Sequence, residues 1–151
     1  MKKIEKIEAS WDGLLPVILN RMEQWRPPKL KREVAYRNNL LSCLRKIVPD
    51  DTRIEKEYRH RGTTIDIWIG WKGIIRNDEL AIEIKLNLKK KTDFDRLVGQ
   101  IEGLDPKNNN ILIVLVGETD HSLVGRLQEK YVEMIKAMEP TMAICQVNLD
   151  R

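Results

Sequence analysis

From Glu79 to Leu88 the chain alternates strictly, with Leu80, Ile82, Ile84, Leu86 and Leu88 in one parity and Glu79, Ala81, Glu83, Lys85 and Asn87 in the other. A period of two belongs to a β-strand, whose successive side chains leave opposite faces. The spacing predicts a strand with one apolar face against a core and one face carrying Glu83 and Lys85 together. Such a strand needs sheet neighbours and a layer over its apolar side.

The flanking sequence supplies both. Ile54 to Tyr58 and Thr63 to Trp71 read as two strands joined by the basic tip Arg59-His60-Arg61-Gly62, where the glycine marks a hairpin turn. Trp71-Lys72-Gly73 and Arg76-Asn77-Asp78 form a second turn-like region. Upstream, Leu14, Leu15, Val17, Ile18 and Met22 give a helical stripe, interrupted near Pro16 and stopped by Pro27-Pro28. A second helix runs from about Leu30 to Ile47 on Val34, Leu40, Leu41, Leu44 and Ile47, and Pro49-Asp50-Asp51 ends it.

Downstream, Phe94, Leu97, Val98 and Ile101 predict a helix from about Asp93 to Leu104, with Asp93 as N-cap. After a turn at Asp105 to Asn110, Ile111 to Val116 is apolar throughout, as in a strand buried on both faces. A last helix from about Ser122 to Met138, capped by Asp120 or Ser122, precedes a short strand from Met142 to Leu149. The order predicts an α/β fold, a mixed β-sheet flanked by helices. At 151 residues the chain fits a single domain spanning 1–151, with residues 1–28 a helical extension and 30–149 the core.

Asp66 lies in Thr63-Thr64-Ile65-Asp66-Ile67-Trp68-Ile69, where the isoleucines take one face and the aspartate the other. An E-x-K on a strand is, taken alone, usually the wet side of an amphipathic strand. Asp66 is harder to dismiss, because aspartate is depleted in strands and is costly to bury without a partner. If the two strands are neighbours, Asp66, Glu83 and Lys85 converge on one sheet face. Two carboxylates make a hard oxygen site for Mg²⁺, or Mn²⁺ in its place, and the lysine can orient water or stabilise charge on a phosphate. Pro49-Asp50 is a literal Pro-Asp, but it sits at a helix end, where turn chemistry explains both residues.

Asp66 followed by Glu83-Ile84-Lys85, in this order of elements, resembles the PD-(D/E)xK, or restriction-endonuclease-like, nuclease superfamily. One departure is that Ile65, not proline, precedes Asp66. The resemblance implies an α-β-β-β-α-β core with an extra N-terminal helix and a C-terminal helix and strand. It implies a Mg²⁺-dependent phosphodiesterase acting on nucleic acid, DNA before RNA and as an endonuclease before an exonuclease, in repair, recombination or restriction. Asp66 and Glu83 would bind metal, with the Ile84 carbonyl a further ligand. Lys85 would position the attacking water. Gln100, in the following helix, resembles a glutamine that many subfamilies use near water or phosphate, and Glu33 resembles a helix glutamate that adds a metal contact. Both are equally well read as helix surface. Small members of the superfamily pair to cut two strands, so a homodimer is compatible with the resemblance.

Arg59, His60 and Arg61, with Lys89, Lys90 and Lys91, are candidate phosphate contacts, although either run could equally be solvated surface. Glu55 and Glu57 share a strand face and read as solvent-facing carboxylates. His121 reads as a loop residue, and Trp11, Trp25, Trp68 and Trp71 form no spaced stacking platform; Trp68 shares the expected Asp66 face and could line the cleft, but reads first as core packing or a subunit contact. Net charge is +4, mild enough to permit a phosphate-bearing partner without requiring one. Cys43 and Cys145 read as core or partly buried thiols, not a disulfide. The start is charged, not signal-like, and no run approaches the ~18 apolar residues of a membrane span. The expectation is a cytoplasmic protein with no membrane partner. No Gly-rich phosphate loop, paired Cys/His zinc pattern or nucleophile elbow is present. Two rivals stay open: the same fold kept as a nucleic-acid- or protein-binding module with weak or no catalysis, and an assembly protein whose polar sheet face is merely wet.

Overall fold

Five strands and five helices follow one another in the computed structural model, which describes residues 6–7, 13–72 and 77–149. They are α1 (Leu14–Met22), α2 (Glu33–Ile47), β1 (Arg53–His60), β2 (Thr63–Lys72), β3 (Asn77–Leu86), α3 (Lys91–Gly103), β4 (Ile111–Val116), α4 (His121–Lys130), α5 (Val132–Ile135) and β5 (Met142–Val147). Trp11 and the centre of the turn expected between Trp71 and Asp78 lie outside the described residues. The strands form one open sheet in chain order. β1, β2 and β3 are antiparallel, whereas β3, β4 and β5 are parallel. This follows from the connections: short turns permit only antiparallel neighbours, while α3 and α4 supply the crossovers that parallel neighbours need.

Each sheet face carries its own core. One joins α1 and α2 to Ile67, Ile69, Leu80, Ile82, Ile84, Leu112 and Val114. The other joins α3 and α4 to Trp68, Ala81, Ile111, Ile113 and Leu115. β4 is therefore buried along its whole length, as its unbroken apolar run predicts. α1 packs into the first of these cores. Leu14 and Ile18 are fully buried, and the Leu14 N–H donates to Asp78 Oδ2 of β3 at 2.7 Å. Pro16 does not interrupt this helix, because it sits in the first turn, where its missing N–H forfeits no helical bond. No helix among the described residues is long and apolar enough to cross a membrane.

Alternation misplaces two residues, and a left-handed backbone explains each. Ile65 joins the α3 side, although Ile67 and Ile69 face α1 and α2. Its partner strand behaves alike, Ile54 packing on the α2 side and Tyr58 on the α3 side. Between them Glu57 has φ 51°, and pairing skips Glu57 with Asp66. The hairpin rolls over at this point, and its tip leans on α3, where Thr63 Oγ1 donates to the Gly103 carbonyl at 3.4 Å. Arg61 and Gly62 both have positive φ, the requirement of a two-residue type I′ turn. Leu88 likewise joins the α3 side, because β3 stops at Leu86 and Asn87 turns the chain at φ 51°.

Further boundaries differ from expectation. α2 begins at Glu33, not Leu30, and Val34 is half exposed instead of joining the stripe. Tyr36 takes the buried position, its hydroxyl accepting from the Leu30 N–H at 2.7 Å and donating to the Leu30 carbonyl at 3.1 Å. Asp93 lies inside the first turn of α3 with Lys90 at the cap, whereas Asp120 does cap α4 through the Ser122 N–H. The last helix is two, broken at Tyr131, whose buried ring sends its hydroxyl to Glu102 at 2.7 Å. β5 ends at Val147. Cys43 is exposed, Cys145 is half-buried, and both are free.

Candidate active site

The ladder between β2 and β3 runs from Lys72 opposite Asn77 to Ile67 opposite Ile82, and there it ends. β3 continues through Glu83, Ile84, Lys85 and Leu86, held on its other side by β4 up to Leu86 opposite Val116. A gap therefore opens beside these four residues. It deprives backbone groups of partners, and an unpaired buried N–H is costly. Two carboxylates fill the vacancy. Ile84 N–H donates to Asp66 Oδ2 at 2.9 Å, and Leu86 N–H donates to Glu33 Oε1 at 2.8 Å. In an extended strand one residue's N–H and C=O face the same edge, so the Ile84 carbonyl faces the gap as well.

Glu83 is 1 % exposed, and its Oε1 has no hydrogen-bond partner. Burial first, and then the Asp66 charge, push its carboxyl up to about 9. Burial raises Asp66 too, opposed by the Ile84 N–H and by its contact with Glu83. Burial and the neighbouring like charge both favour the neutral form of Glu83. Glu33 is also raised, by desolvation, with the Leu86 N–H and Lys85 acting against it. Lys85 has a side chain only 15 % exposed and lies 3.9 Å from Glu33 Oε1. Its charge lowers both Asp66 and Glu33.

Two further residues belong here. Arg37, one helical turn after Glu33, is 7 % exposed and its charge acts on Asp66. Its Nη1 donates to Glu57 Oε1 at 2.8 Å, and its Nε and Nη2 donate to Asn38 Oδ1. Asp93, early in α3, adds negative charge that raises Glu33. In the sequence Asp93 reads as a helix cap and Arg37 as helix surface. The available signal was its position four residues after Glu33, on the same helix face.

The structure thus brings together Asp66, Glu83, Lys85, Glu33 and the Ile84 backbone. Gln100 stands apart, exposed on α3 with no hydrogen bond to these carboxylates. Arg59 and Arg61 are exposed at the hairpin tip and His60 is half-buried. Lys89 pairs with Glu118 and Lys91 with Asp95, so the lysine run is partly neutralised, and Lys90 is exposed. Glu55 pairs with Arg53 and is not part of the cluster. Trp68 is core, stacked on Tyr58 with ring centroids 4.5 Å apart and with the Arg53 guanidinium 5.0 Å from its ring.

Among the described residues, no three His, Cys, Asp or Glu side chains stand ready-made as a metal cluster. The donor set nevertheless suits a hard divalent cation. Asp66, Glu83 and Glu33 offer hard oxygens close enough to act on one another electrostatically, and Glu83 presents a buried oxygen without a partner. Compared with known proteins, the chain matches no family model, no curated protein and no solved structure.

Proposed function

We propose that the protein is a metal-dependent nuclease of the restriction-endonuclease-like, PD-(D/E)xK type, acting on DNA. The observation that carries this reading is the convergence of Asp66, Glu83 and Lys85 on the gap where the β2–β3 ladder ends. The meander of three strands followed by a helix-crossed parallel strand, with α2 before it, supports the same reading.

Asp66 and Glu83 would hold Mg²⁺ or Mn²⁺, with the Ile84 carbonyl and Glu33 as further oxygen donors. The bound cation would offset charge on the scissile phosphate and make an attacking water more acidic. Lys85 is loosely tied at 3.9 Å, which leaves its ammonium hydrogens free to hold that water or to donate to the crowded phosphate. Arg37 keeps the Asp66 carboxyl closer to ionisation, the state a metal ligand needs. The low exposure of Glu83 and Lys85 keeps competing water from these groups.

The test is a Mg²⁺ and Mn²⁺ cleavage panel over single-stranded, duplex, flap and four-way-junction DNA. Divalent-dependent cleavage should be lost in folded Asp66→Ala and Lys85→Ala proteins. Cleavage unchanged in both would sink the proposal.

One observation favours a second reading, a binding module of the same fold without catalysis. Asp66 and Glu33 already spend an oxygen each on backbone N–H groups instead of presenting a formed cluster. Calorimetric Mn²⁺ titration separates the two, since a nuclease site requires saturable binding that depends on Asp66 and Glu83.

A further inference from the structure

The segment Arg26-Pro27-Pro28-Lys29-Leu30-Lys31-Arg32 places four cations in seven residues, without an acid among them. It joins α1 to α2 and ends at Glu33, the residue whose carboxylate caps the edge of the gap. Three features hold it still. Two consecutive prolines fix their own φ angles and restrict the residues before them. Leu30 is fastened at both its N–H and its carbonyl by the buried Tyr36 hydroxyl. Arg26 Nη1 is anchored on the carbonyls of Glu23 at 2.6 Å and Trp25 at 3.3 Å, which keeps its charge uncompensated by any carboxylate in those bonds.

Lys31 and Arg32 are exposed, and among the described residues their side chains make no hydrogen bond or ion pair. This contrasts with the run after β3, where Lys89 and Lys91 each have an acidic partner. Unpaired cations on a stiff backbone lose less entropy and break fewer ion pairs when they meet a polyanion.

Resting on the nuclease reading above, we propose that this strap is the main docking surface for the phosphate backbone of a DNA duplex. The duplex is favoured over a single strand by what the strap lacks. Proteins that track single strands pair a basic groove with exposed aromatic rings on which bases stack. The two aromatics closest to the strap in sequence, Trp25 and Tyr36, are both buried, and Trp25 spends its indole N–H on Asn39 Oδ1 at 2.9 Å. What the strap offers is charge at fixed spacing, which reads backbone and not bases.

The test is fluorescence anisotropy of a labelled DNA duplex of two helical turns, in EDTA, over KCl from about 50 to about 200 mM. The full chain is compared with Lys31→Ala/Arg32→Ala and with Lys89→Ala/Lys91→Ala. Removing two phosphate contacts should flatten the slope of log affinity against log salt by about 2. The expected result is that loss for the strap variant and a smaller change for the lysine-run variant, with weaker binding to the matching single strand throughout. An unchanged slope in the strap variant, an equal loss in both, or preference for the single strand would overturn the proposal. Circular dichroism spectra verify that the variants fold. Mn²⁺-dependent cleavage of the same duplex is scored separately. Slope loss without cleavage keeps the strap and removes the nuclease reading, and cleavage without slope loss does the reverse.

Discussion

The Asp66 carboxylate takes the N–H of Ile84 at 2.9 Å, standing in for the β2 backbone that has left β3 by that point. One side chain therefore closes a sheet edge and lines the candidate metal site. These two tasks are separable by substitution. Asp66→Ala leaves the Ile84 N–H without its acceptor and should cost about 1–3 kcal/mol. Asp66→Asn keeps an oxygen for that N–H and removes a charge facing Glu83, so it should be clearly more stable than the alanine variant. Under the nuclease reading both should lose Mn²⁺-dependent cleavage. Urea melts and a cleavage assay check this, and equal stability of the two variants would refute the structural half.

The carboxyl cluster makes the metal-free protein sensitive to pH in a defined direction. Glu83 is pushed up to about 9 from an ordinary carboxyl value of 4.5, and Asp66 and Glu33 are raised as well. The native state therefore holds protons that the unfolded state releases. This contribution is fully present below about pH 4.5 and is lost as pH rises toward about 9. Urea melts in EDTA should show stability falling across that window, with a shallower fall in Glu83→Gln. Under the nuclease reading Mn²⁺ should counter the fall, because a bound cation would favour the deprotonated carboxylates. A metal-free stability that rises across the window would contradict the arrangement.

Lys85 should matter to rate far more than to stability. Its contact with Glu33 is long and partly exposed, and such a pair is worth less than about 1 kcal/mol. Lys85→Met keeps the aliphatic stem and should change the denaturation midpoint little. Under the nuclease reading it should lower kcat by about 10²–10³-fold, the range for removing one aimed donor. Single-turnover cleavage at saturating Mn²⁺ measures it, and a loss appearing only in KM would assign Lys85 to binding instead.

Much of this site was legible in the sequence because period-two alternation survives wherever the ladder is regular. Parity alone puts Glu83 and Lys85 on one strand face, and Gly62 marks the hairpin turn. Legibility failed where single residues adopt positive φ. Glu57 and Asn87 each reverse the alternation, and neither is a glycine that would have signalled it. Ile65 and Leu88 changed faces for that reason. Arg37 is not legible locally because a cation in a helix ordinarily reads as solvated, and its burial depends on Glu57, twenty residues away in sequence. The split at Tyr131 depends on Glu102 in another helix, a contact outside any local window.

Tyr36 links the strap to the core through one hydroxyl. Tyr36→Phe should cost about 1 kcal/mol, since half-buried Leu30 can recover water as a partner. Amide exchange should quicken at Leu30. All four cations stay in place, so under the docking proposal duplex binding should weaken while its salt slope holds. Loss of slope in this variant would mean that the hydroxyl itself, and not the ordering of the strap, meets phosphate.

Gly70 should prove intolerant for a reason independent of the site. Trp68 lies across it, and a Cβ added at Gly70 would stand 2.6 Å from the indole Cη2 and 3.0 Å from Cζ2. The ring is hemmed in, with Tyr58 stacked at an interplanar angle of 13° and the Arg53 guanidinium 5.0 Å from its centre. Gly70→Ala must therefore displace an aromatic stack, not the end of a flexible chain, and overpacking of this kind costs about 1–3 kcal/mol. The double variant Trp68→Leu/Gly70→Ala isolates the cause. If the indole is the obstacle, the alanine should cost little in the Trp68→Leu background, and the two substitutions should be strongly non-additive in urea melts. Additive effects would place the strain in the β2 backbone instead.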